Sequence, residues 1–389
     1  MPWSDVVGQD RAASALRAAV ASGRVAHAYL LHGDQGAGTL AAALAFGQSL
    51  LCERPVEGGA CGACAACLRT TRLLHPDLQL YLPFPKTSTS SDKDARPPDY
   101  AERLALVAED PYRVADYRRL AKIGDAEASP KQAEHRRLPI EETVRHDMTM
   151  HAVEGGRRVG ILTDVDHMRR EAANSFLKLL EEPGDSVVLV LTAERLDGVL
   201  PTILSRCQRV RFDGLPAATL EAALGARGTD AATAAFVARM AEGSLSRALL
   251  LRDSEALAEA RSLVVQFVRA SYACRPTELG PLVEQAAKMG RTPLARWLGY
   301  VQTWVRDLVL LAADPGAAVV NVDQAETLAR FVGGVPRADL AAMAGLVSDA
   351  ADLVEANANA TLVLTALAHA LQAAMHGHRV PLLPALDGV

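Results

Sequence analysis

Four cysteines lie close together near the start of the sequence: Cys52, Cys61, Cys64 and Cys67. Four thiolates can close a tetrahedral zinc site without a water ligand, and such a closed site is structural rather than catalytic. Two C-x2-C steps in tandem can also hold an iron–sulfur cluster, and the cysteines could instead be free thiols in a flexible connection. Their clustering in a chain without secretory signals favours metal over disulfides.

A glycine-rich turn, Gly33 to Gly38 with Gly36 between, follows a short apolar run. It has the glycine spacing of the phosphate-binding pattern G-x-x-x-x-G-K-[ST], whose backbone N–H groups cradle phosphates at a helix N-terminus. Thr39 stands where the lysine belongs and Leu40 where the magnesium-binding hydroxyl belongs. The alternative is that the turn is only a glycine-rich connection between a strand and a helix.

A second apolar run ends in Thr163, Asp164, Val165 and Asp166. Phosphate-loop ATPases use an Asp here for magnesium and a following Glu to polarise the attacking water. Asp164 fits the first role, but valine follows it, and Asp166 could act as a base only in a different register. We therefore expect no hydrolysis of nucleotide, while binding without cleavage stays open.

The elements needed to position these residues belong to a parallel α/β domain. Continuous apolar runs predict strands buried on both faces, and alanine-rich segments between them predict helices. The predicted strands are 27–32, 75–82, 158–163 and 187–192; the predicted helices are 10–21, 39–52 and 168–180.

Residues 83–138 form a predicted insertion, with helical spacing over 100–107 and 111–123, and a helix start at 139. Beyond 213 no strand is predicted, and long helices follow to about 376, one with Trp297, Val301, Trp304 and Leu308 on one face. The predicted domains are 1–212 (with a zinc module at 52–67), a small helical unit at 213–253, and a helical domain at 254–389.

The overall charge limits the classes of function. The 389 residues carry a net charge of −5 and only 4% aromatic residues. A stand-alone nucleic-acid binder usually has a basic excess, so any DNA contact should be local or shared with partners. The sequence shows neither a membrane-spanning apolar stretch nor a signal peptide, which predicts a cytoplasmic protein.

Several stretches together resemble the clamp-loader subunits of bacterial DNA polymerase III, which belong to the AAA+ class. They are Val-Gly-Gln at 7–9, His-Ala-Tyr at 27–29, the four cysteines, Ala-Asn-Ser-Phe-Leu-Lys-Leu-Leu-Glu-Glu-Pro at 173–183, and Leu-Pro-Thr-Ile-Leu-Ser-Arg-Cys-Gln at 200–208. Within the family, delta-prime-type subunits typically lack a working phosphate loop but retain Ser-Arg-Cys, and this sequence is similar to them.

The resemblance implies an α/β P-loop-type AAA+ domain with a zinc-binding insertion, then a small helical lid and an all-α collar. It also implies a heteropentameric ring with gamma/tau and delta subunits, acting on a sliding clamp and primed-template DNA. The resemblance implies no membrane partner.

The same resemblance implies roles for single residues. Arg206 would act in trans as an arginine finger on ATP held by a neighbouring motor subunit; its plain alternative is an ordinary salt bridge. Arg247 matches the sensor arginine of the lid helix and Thr192 the polar sensor position of the sheet. Cys207 is expected to pack rather than react, and Cys274 has no assigned role.

Three hypotheses remain at this point. The first is a non-hydrolysing clamp-loader subunit, a component of the DNA-directed DNA polymerase holoenzyme without ATPase activity of its own. The second is an active gamma/tau-type ATPase, which the missing lysine disfavours. The third is a zinc-dependent DNA-binding module in repair, which the acidic charge disfavours.

Overall fold

The computed structural model describes residues 2–85, 99–113, 133–135, 140–154, 156–184, 186–253 and 256–382. The chain forms two compact units. The first comprises Met1–Thr229 and Ala241–Leu250, and the second comprises Asp230–Met240 and Leu251–Val389.

A five-stranded parallel sheet forms the centre of the first unit, with its strands in the order 78–81, 158–162, 187–193, 28–32 and 208–211. Its strands are β1 (Ala28–His32), β2 (Leu78–Tyr81), β5 (Arg158–Leu162), β6 (Val187–Ala193) and β7 (Gln208–Arg211). All seven residues of β6 and all five of β5 are buried, as expected where helices cover both faces of a parallel sheet.

Helices pack on both faces of this sheet. The helices and helical turns of the first unit are Trp3–Asp5 (3-10), α1 (Asp10–Ala21), α2 (Thr39–Leu51), α3 (Ala65–Thr71), α4 (Tyr100–Glu109), Ile140–Val144 (π), α5 (Arg145–Thr149), Val165–His167 (3-10), α6 (Arg170–Glu181), α7 (Pro201–Leu204) and α8 (Ala217–Gly225). The helix α2 is almost wholly buried, and Gly47 lets it approach Leu78 of β2 closely.

The parallel register brings the carboxyl ends of the strands to one edge. His32 of β1 lies opposite Ala193 of β6 and Arg211 of β7, and Leu162 of β5 lies opposite Leu191. The glycine-rich turn and the 163–167 turn both begin at this edge, where ligands bind in open α/β sheets.

The predicted parallel α/β domain is confirmed, with strands β1, β2, β5 and β6 inside the predicted ranges apart from Ala193. One strand was missed: β7 is largely exposed and reads Gln-Arg-Val-Arg, without the apolar run used to predict the others. The helix at 140–149 is confirmed but begins with a π-helical turn.

The predicted insertion is described only in part. Helix α4 confirms the first predicted helix, whereas residues 111–113 form a turn, not a helix, and 114–123 lie outside the described residues. Two short strands, β3 (Phe84–Pro85) and β4 (Ala133–Glu134), pair antiparallel.

The second unit is helical. Helix α10 (Leu245–Arg252) runs across the division between the units, and the remaining helices are α9 (Ala231–Met240), α11 (Ala256–Ala273), α12 (Pro276–Ala287), α13 (Arg291–Ala313), Val322–Gln324 (3-10), α14 (Ala325–Gly334), α15 (Leu340–Glu355) and α16 (Ala360–Met375). Trp297, Val301, Trp304 and Leu308 are buried on α13 as predicted. Among the described residues no helix combines the length and apolar character needed to cross a bilayer.

Candidate functional site

The four predicted cysteines converge. Their sulfur atoms all lie within 4.8 Å of one another, with Cys52 Sγ 4.0 Å from Cys64 Sγ and Cys61 Sγ 3.9 Å from Cys67 Sγ. A zinc–sulfur bond of about 2.3 Å in a tetrahedron requires sulfur separations of about 3.8 Å. The donor set and spacing therefore fit a four-coordinate ion such as zinc.

Backbone N–H groups surround these sulfurs. The N–H of Cys61 donates to Cys52 Sγ at 3.2 Å, that of Cys64 to Cys61 Sγ at 3.4 Å, and that of Cys67 to Cys64 Sγ at 3.4 Å. Such donors favour thiolates, and hydrogen bonds from Ala63 and Cys64 lower the pKa of Cys61 to about 6. Burial instead raises the pKa of Cys52 and Cys67, and a bound cation would offset that cost.

The cysteine module is anchored to the sheet domain. Cys64 caps the N-terminus of α3, and Cys67 lies fully buried in the first turn of this helix. From α2, the buried Gln48 side chain donates to the carbonyl oxygen of Cys67 at 2.9 Å. From α3, Arg69 Nη2 donates to both carboxylate oxygens of Glu154, at 2.7 and 2.6 Å. Contacts from α2 and from Glu154 thus hold the cysteine module.

The glycine-rich turn connects β1 to α2. Gly33 follows β1, and its N–H donates to the Ala193 carbonyl at 3.2 Å. Gly36 and Gly38 have φ of 81° and 106°, which glycine adopts without strain, and α2 begins at Thr39. Leu40, at the hydroxyl position, is buried in the apolar core.

The turn after β5 contains Asp164 and Asp166, and their contacts differ. Asp164 has a left-handed φ of 57°, and its N–H donates to Thr192 Oγ1 at 3.1 Å, which brings two predicted residues together. Val165 is buried in the core. Asp166 Oδ2 accepts from the N–H groups of Glu194 and Arg195 at 3.2 and 3.3 Å, so this carboxylate holds the turn after β6.

Arg206 lies at the surface between α7 and β7. Its guanidinium donates to Glu181 Oε1 at 2.8 Å and to the Thr202 carbonyl at 3.0 Å, and 36% of its side chain is exposed. Cys207, next to it, packs against the core, and burial raises its pKa to about 12.

Arg247 lies on α10 and pairs with Glu242 at 2.6 Å with 49% of its side chain exposed. Its neighbours contact the glycine-rich turn instead: the N–H of Leu245 donates to the Gly36 carbonyl at 3.1 Å. A Cβ on Gly36 would lie 2.3 Å from Ser244 Oγ and 2.7 Å from the backbone nitrogen of Ser246. Residues 244–246 therefore pack directly on the turn.

Three residues at this site were not singled out from the sequence. They are Glu181, which holds Arg206, and two residues of the insertion, Tyr112 and His135. Glu181 lies in the stretch 173–183 that carries the resemblance, so its position was available as a signal. Tyr112 contacts Val7 across a separation of 105 residues, which no local pattern reveals.

Comparison with known proteins agrees with these features. A family profile described as "DNA polymerase III, delta subunit" matches residues 8–216. "DNA polymerase III subunit delta'" of Pseudomonas aeruginosa is 33% identical over 182 residues, which are 47% of this chain and 42% of that protein. The protein of the same name from Bacillus subtilis is 29% identical over 260 residues, 66% of this chain and 63% of that protein.

A longer but weaker match is with "DNA polymerase III subunit gamma/tau" of Mycobacterium tuberculosis, 24% identical over 340 residues, 81% of this chain and 50% of that protein. The chain thus spans less than two thirds of the length of the two delta-prime relatives. The family profile covers more than half of the chain. The chain belongs to the DNA polymerase III delta subunit family, and the delta' subunits of that polymerase are among its relatives.

Proposed function

We propose that this chain works without hydrolysing ATP, in a ring that places the sliding clamp on primed-template DNA. Its partners are gamma/tau and delta subunits in a heteropentamer, and its compartment is the cytoplasm. The proposal keeps the three-part division into a nucleotide-fold domain (1–212), a lid (213–253) and a collar (254–389). In this arrangement the collar joins the subunits.

One observation carries the proposal. Arg206 is partly exposed at the surface, while Thr39 and Leu40 stand at the positions of the two reactive side chains of a phosphate loop. A guanidinium stabilises charge that develops on a transferring phosphoryl group. We propose that Arg206 does so in trans, for ATP held by an adjacent motor subunit.

The residues around the phosphate loop then have a reduced role. The conformation of the loop depends on Gly33, Gly36, Gly38 and Thr39. The positions that contact magnesium and phosphate in active members of the family are occupied by Asp164 and Arg247. Without the lysine and hydroxyl, these groups are not expected to support hydrolysis.

We propose zinc as the ion of the four-cysteine site. Zinc accepts four thiolates in a closed tetrahedron and undergoes no redox change. The ion would stabilise the loop that connects α2 to α3. Cys52, Cys61, Cys64 and Cys67 would be its only protein ligands, which leaves no open position for catalysis.

An omission experiment tests the function. Clamp loading on primed DNA is measured with gamma/tau, delta, clamp and ATP, with and without this chain, alongside ATP hydrolysis by the chain alone. We expect loading to require the chain and the isolated chain to show no hydrolysis above buffer. Loading at full rate without the chain would refute the proposal.

An active gamma/tau-type ATPase is the second candidate. It is favoured by the gamma/tau match over 81% of the chain and disfavoured by Thr39 at the lysine position. Steady ATP hydrolysis by the isolated chain, stimulated by primed DNA, would select it.

A further inference from the structure

We infer that the chain closes its own nucleotide crevice with Tyr112, a residue of the long insertion. The crevice is the space at the N-terminus of α2 where the glycine-rich turn would receive phosphates. The inference concerns the chain's own crevice and holds whether or not Arg206 acts on a neighbouring subunit.

Tyr112 lies directly against the start of α2. A Cβ built on Gly38, the residue that precedes α2, would lie 2.9 Å from the Tyr112 hydroxyl oxygen and 3.6 Å from its ring. The same hydroxyl oxygen accepts a hydrogen bond from the Val7 N–H at 2.9 Å. Tyr112 is only 2% exposed, so its ring fills the space between the N-terminal segment and the turn.

Polar contacts fix the tyrosine from the other side. Asp110 Oδ1 accepts from the Tyr112 N–H at 2.9 Å, and Asp110 Oδ2 lies 3.7 Å from Arg227 Nε. The Arg227 guanidinium lies 5.8 Å from the centre of the Tyr112 ring, within the range of a cation–π contact. The insertion is thereby joined to the segment that follows α8.

The same insertion also covers the acidic strand end. His135 is 5% exposed, and its Nε2 contacts the carbonyl oxygen of Thr163, the residue before Asp164. Its backbone pairs with the neighbouring turn: its N–H donates to the His167 carbonyl at 3.3 Å, and its carbonyl accepts from Arg169 at 3.2 Å.

Insertion residues therefore contact both parts of the crevice that a nucleotide would need, the start of α2 and the end of β5. Burial also raises the pKa of Tyr112 to about 12. Thr39 at the lysine position lowers the affinity for phosphate, whereas Tyr112 occupies the space beside the glycine-rich turn that phosphates would need. These are separate barriers, and separate substitutions can test them.

Hydrogen exchange of the full chain measures directly whether Tyr112 covers the glycine-rich turn. In the unaltered chain we expect the Gly38 amide to be protected. Tyr112→Ala should accelerate its exchange by about tenfold or more, while Tyr112→Phe, which keeps the ring, should leave Gly38 protected. An unprotected Gly38 amide in the unaltered chain, or equal protection in a folded Tyr112→Ala chain, would overturn the inference.

Binding of magnesium ADP provides the second test. Thr39→Lys restores the lysine, and we expect no saturable binding up to about 1 mM by Thr39→Lys alone or with Tyr112→Phe. Thr39→Lys with Tyr112→Ala should bind. If Thr39→Lys with Tyr112 intact binds magnesium ADP as well as the double variant with Tyr112→Ala does, the closure is overturned. If Tyr112→Ala accelerates exchange of the Gly38 amide but the double variant does not bind, the closure is supported and Leu40 is the remaining barrier to binding.

Discussion

The guanidinium of Arg206 is bound within its own chain by the carboxylate of Glu181, at 2.8 Å, across a separation of 25 residues. Glu181 is the last residue of α6, and Arg206 follows α7, so the contact joins two segments that both carry the family resemblance. It orients the arginine and competes with any phosphate for it. In the proposed trans role, the phosphate of a neighbouring nucleotide would have to draw the guanidinium away from Glu181 or share it.

Substitutions in this ion pair should affect the activity of the complex but not the stability of the chain. Both side chains are more than one third exposed, and surface ion pairs contribute about 0–1 kcal/mol. Arg206→Ala and Glu181→Gln should each change the free energy of unfolding, measured in urea, by less than about 1 kcal/mol. A loss of several kcal/mol would assign Arg206 a structural role instead.

The four-cysteine site predicts about one zinc per chain by elemental analysis. Cys64→Ser and Cys67→Ser should remove the ion and lower the melting temperature, because metal affinity contributes folding free energy. Cobalt substitution should give the absorption of a tetrahedral thiolate site.

The control for the metal site is Cys274→Ser, since Cys274 lies in the helical unit and outside the cluster. This variant should keep its zinc. Chains with reduced, intact cysteines and well below one zinc would contradict the assignment, and bound iron with sulfide would select the iron–sulfur alternative.

Cys207 should be chemically inert in the folded chain. Burial raises its pKa from 9.0 to about 12, which lowers the thiolate fraction at pH 8, and the thiolate is the reactive form. Alkylation followed by peptide mass mapping should label Cys207 at least about a hundredfold more slowly in the folded chain than in urea. Equal rates would show that its packing is absent in solution.

His75 should lower the free energy of unfolding in mild acid. Burial lowers its pKa below the ordinary value of 6.5, although Glu154 and Asp77 act in the opposite direction. The unfolded chain therefore takes up a proton as the pH falls through 6.5 while the folded chain resists it, so the free energy of unfolding decreases there.

The contribution of His75 can be isolated by substitution. Unfolding in urea at several pH values should show a smaller acid loss for His75→Gln than for the unaltered chain. His151→Gln, at an exposed position, should behave like the unaltered chain. An identical pH profile for His75→Gln would contradict the prediction.

The sheet was largely predictable because its central strands are apolar on both faces. Val187–Ala193 is wholly buried, and that environment leaves a continuous run of apolar residues in the sequence. Gln208–Arg211 lies at the edge of the sheet, with three of its four residues exposed, and it therefore carries no such run. Pairing with β1, which is remote in sequence, makes it a strand.

The site was predictable where its residues are close in sequence. The four cysteines span one short loop, and their convergence followed from spacing alone. The cover of the crevice was not predictable, because Tyr112 acquires its role through contacts with Val7 and Gly38, which come from distant segments. The same holds for Asp166, whose bonds to residues 194 and 195 depend on the sheet register.

The central claim is that Arg206 acts in trans on ATP held by a neighbour. Its most direct test is the rate of ATP hydrolysis, stimulated by primed DNA, in the complex reconstituted with gamma/tau, delta and clamp, comparing Arg206→Ala with the unaltered chain. Arg195→Ala, which removes an exposed surface arginine paired with Asp197, is the matched control. We predict that Arg206→Ala lowers hydrolysis and clamp loading by about tenfold or more without preventing assembly, while Arg195→Ala leaves both unchanged. Unchanged hydrolysis and loading with Arg206→Ala in an intact complex would contradict the account.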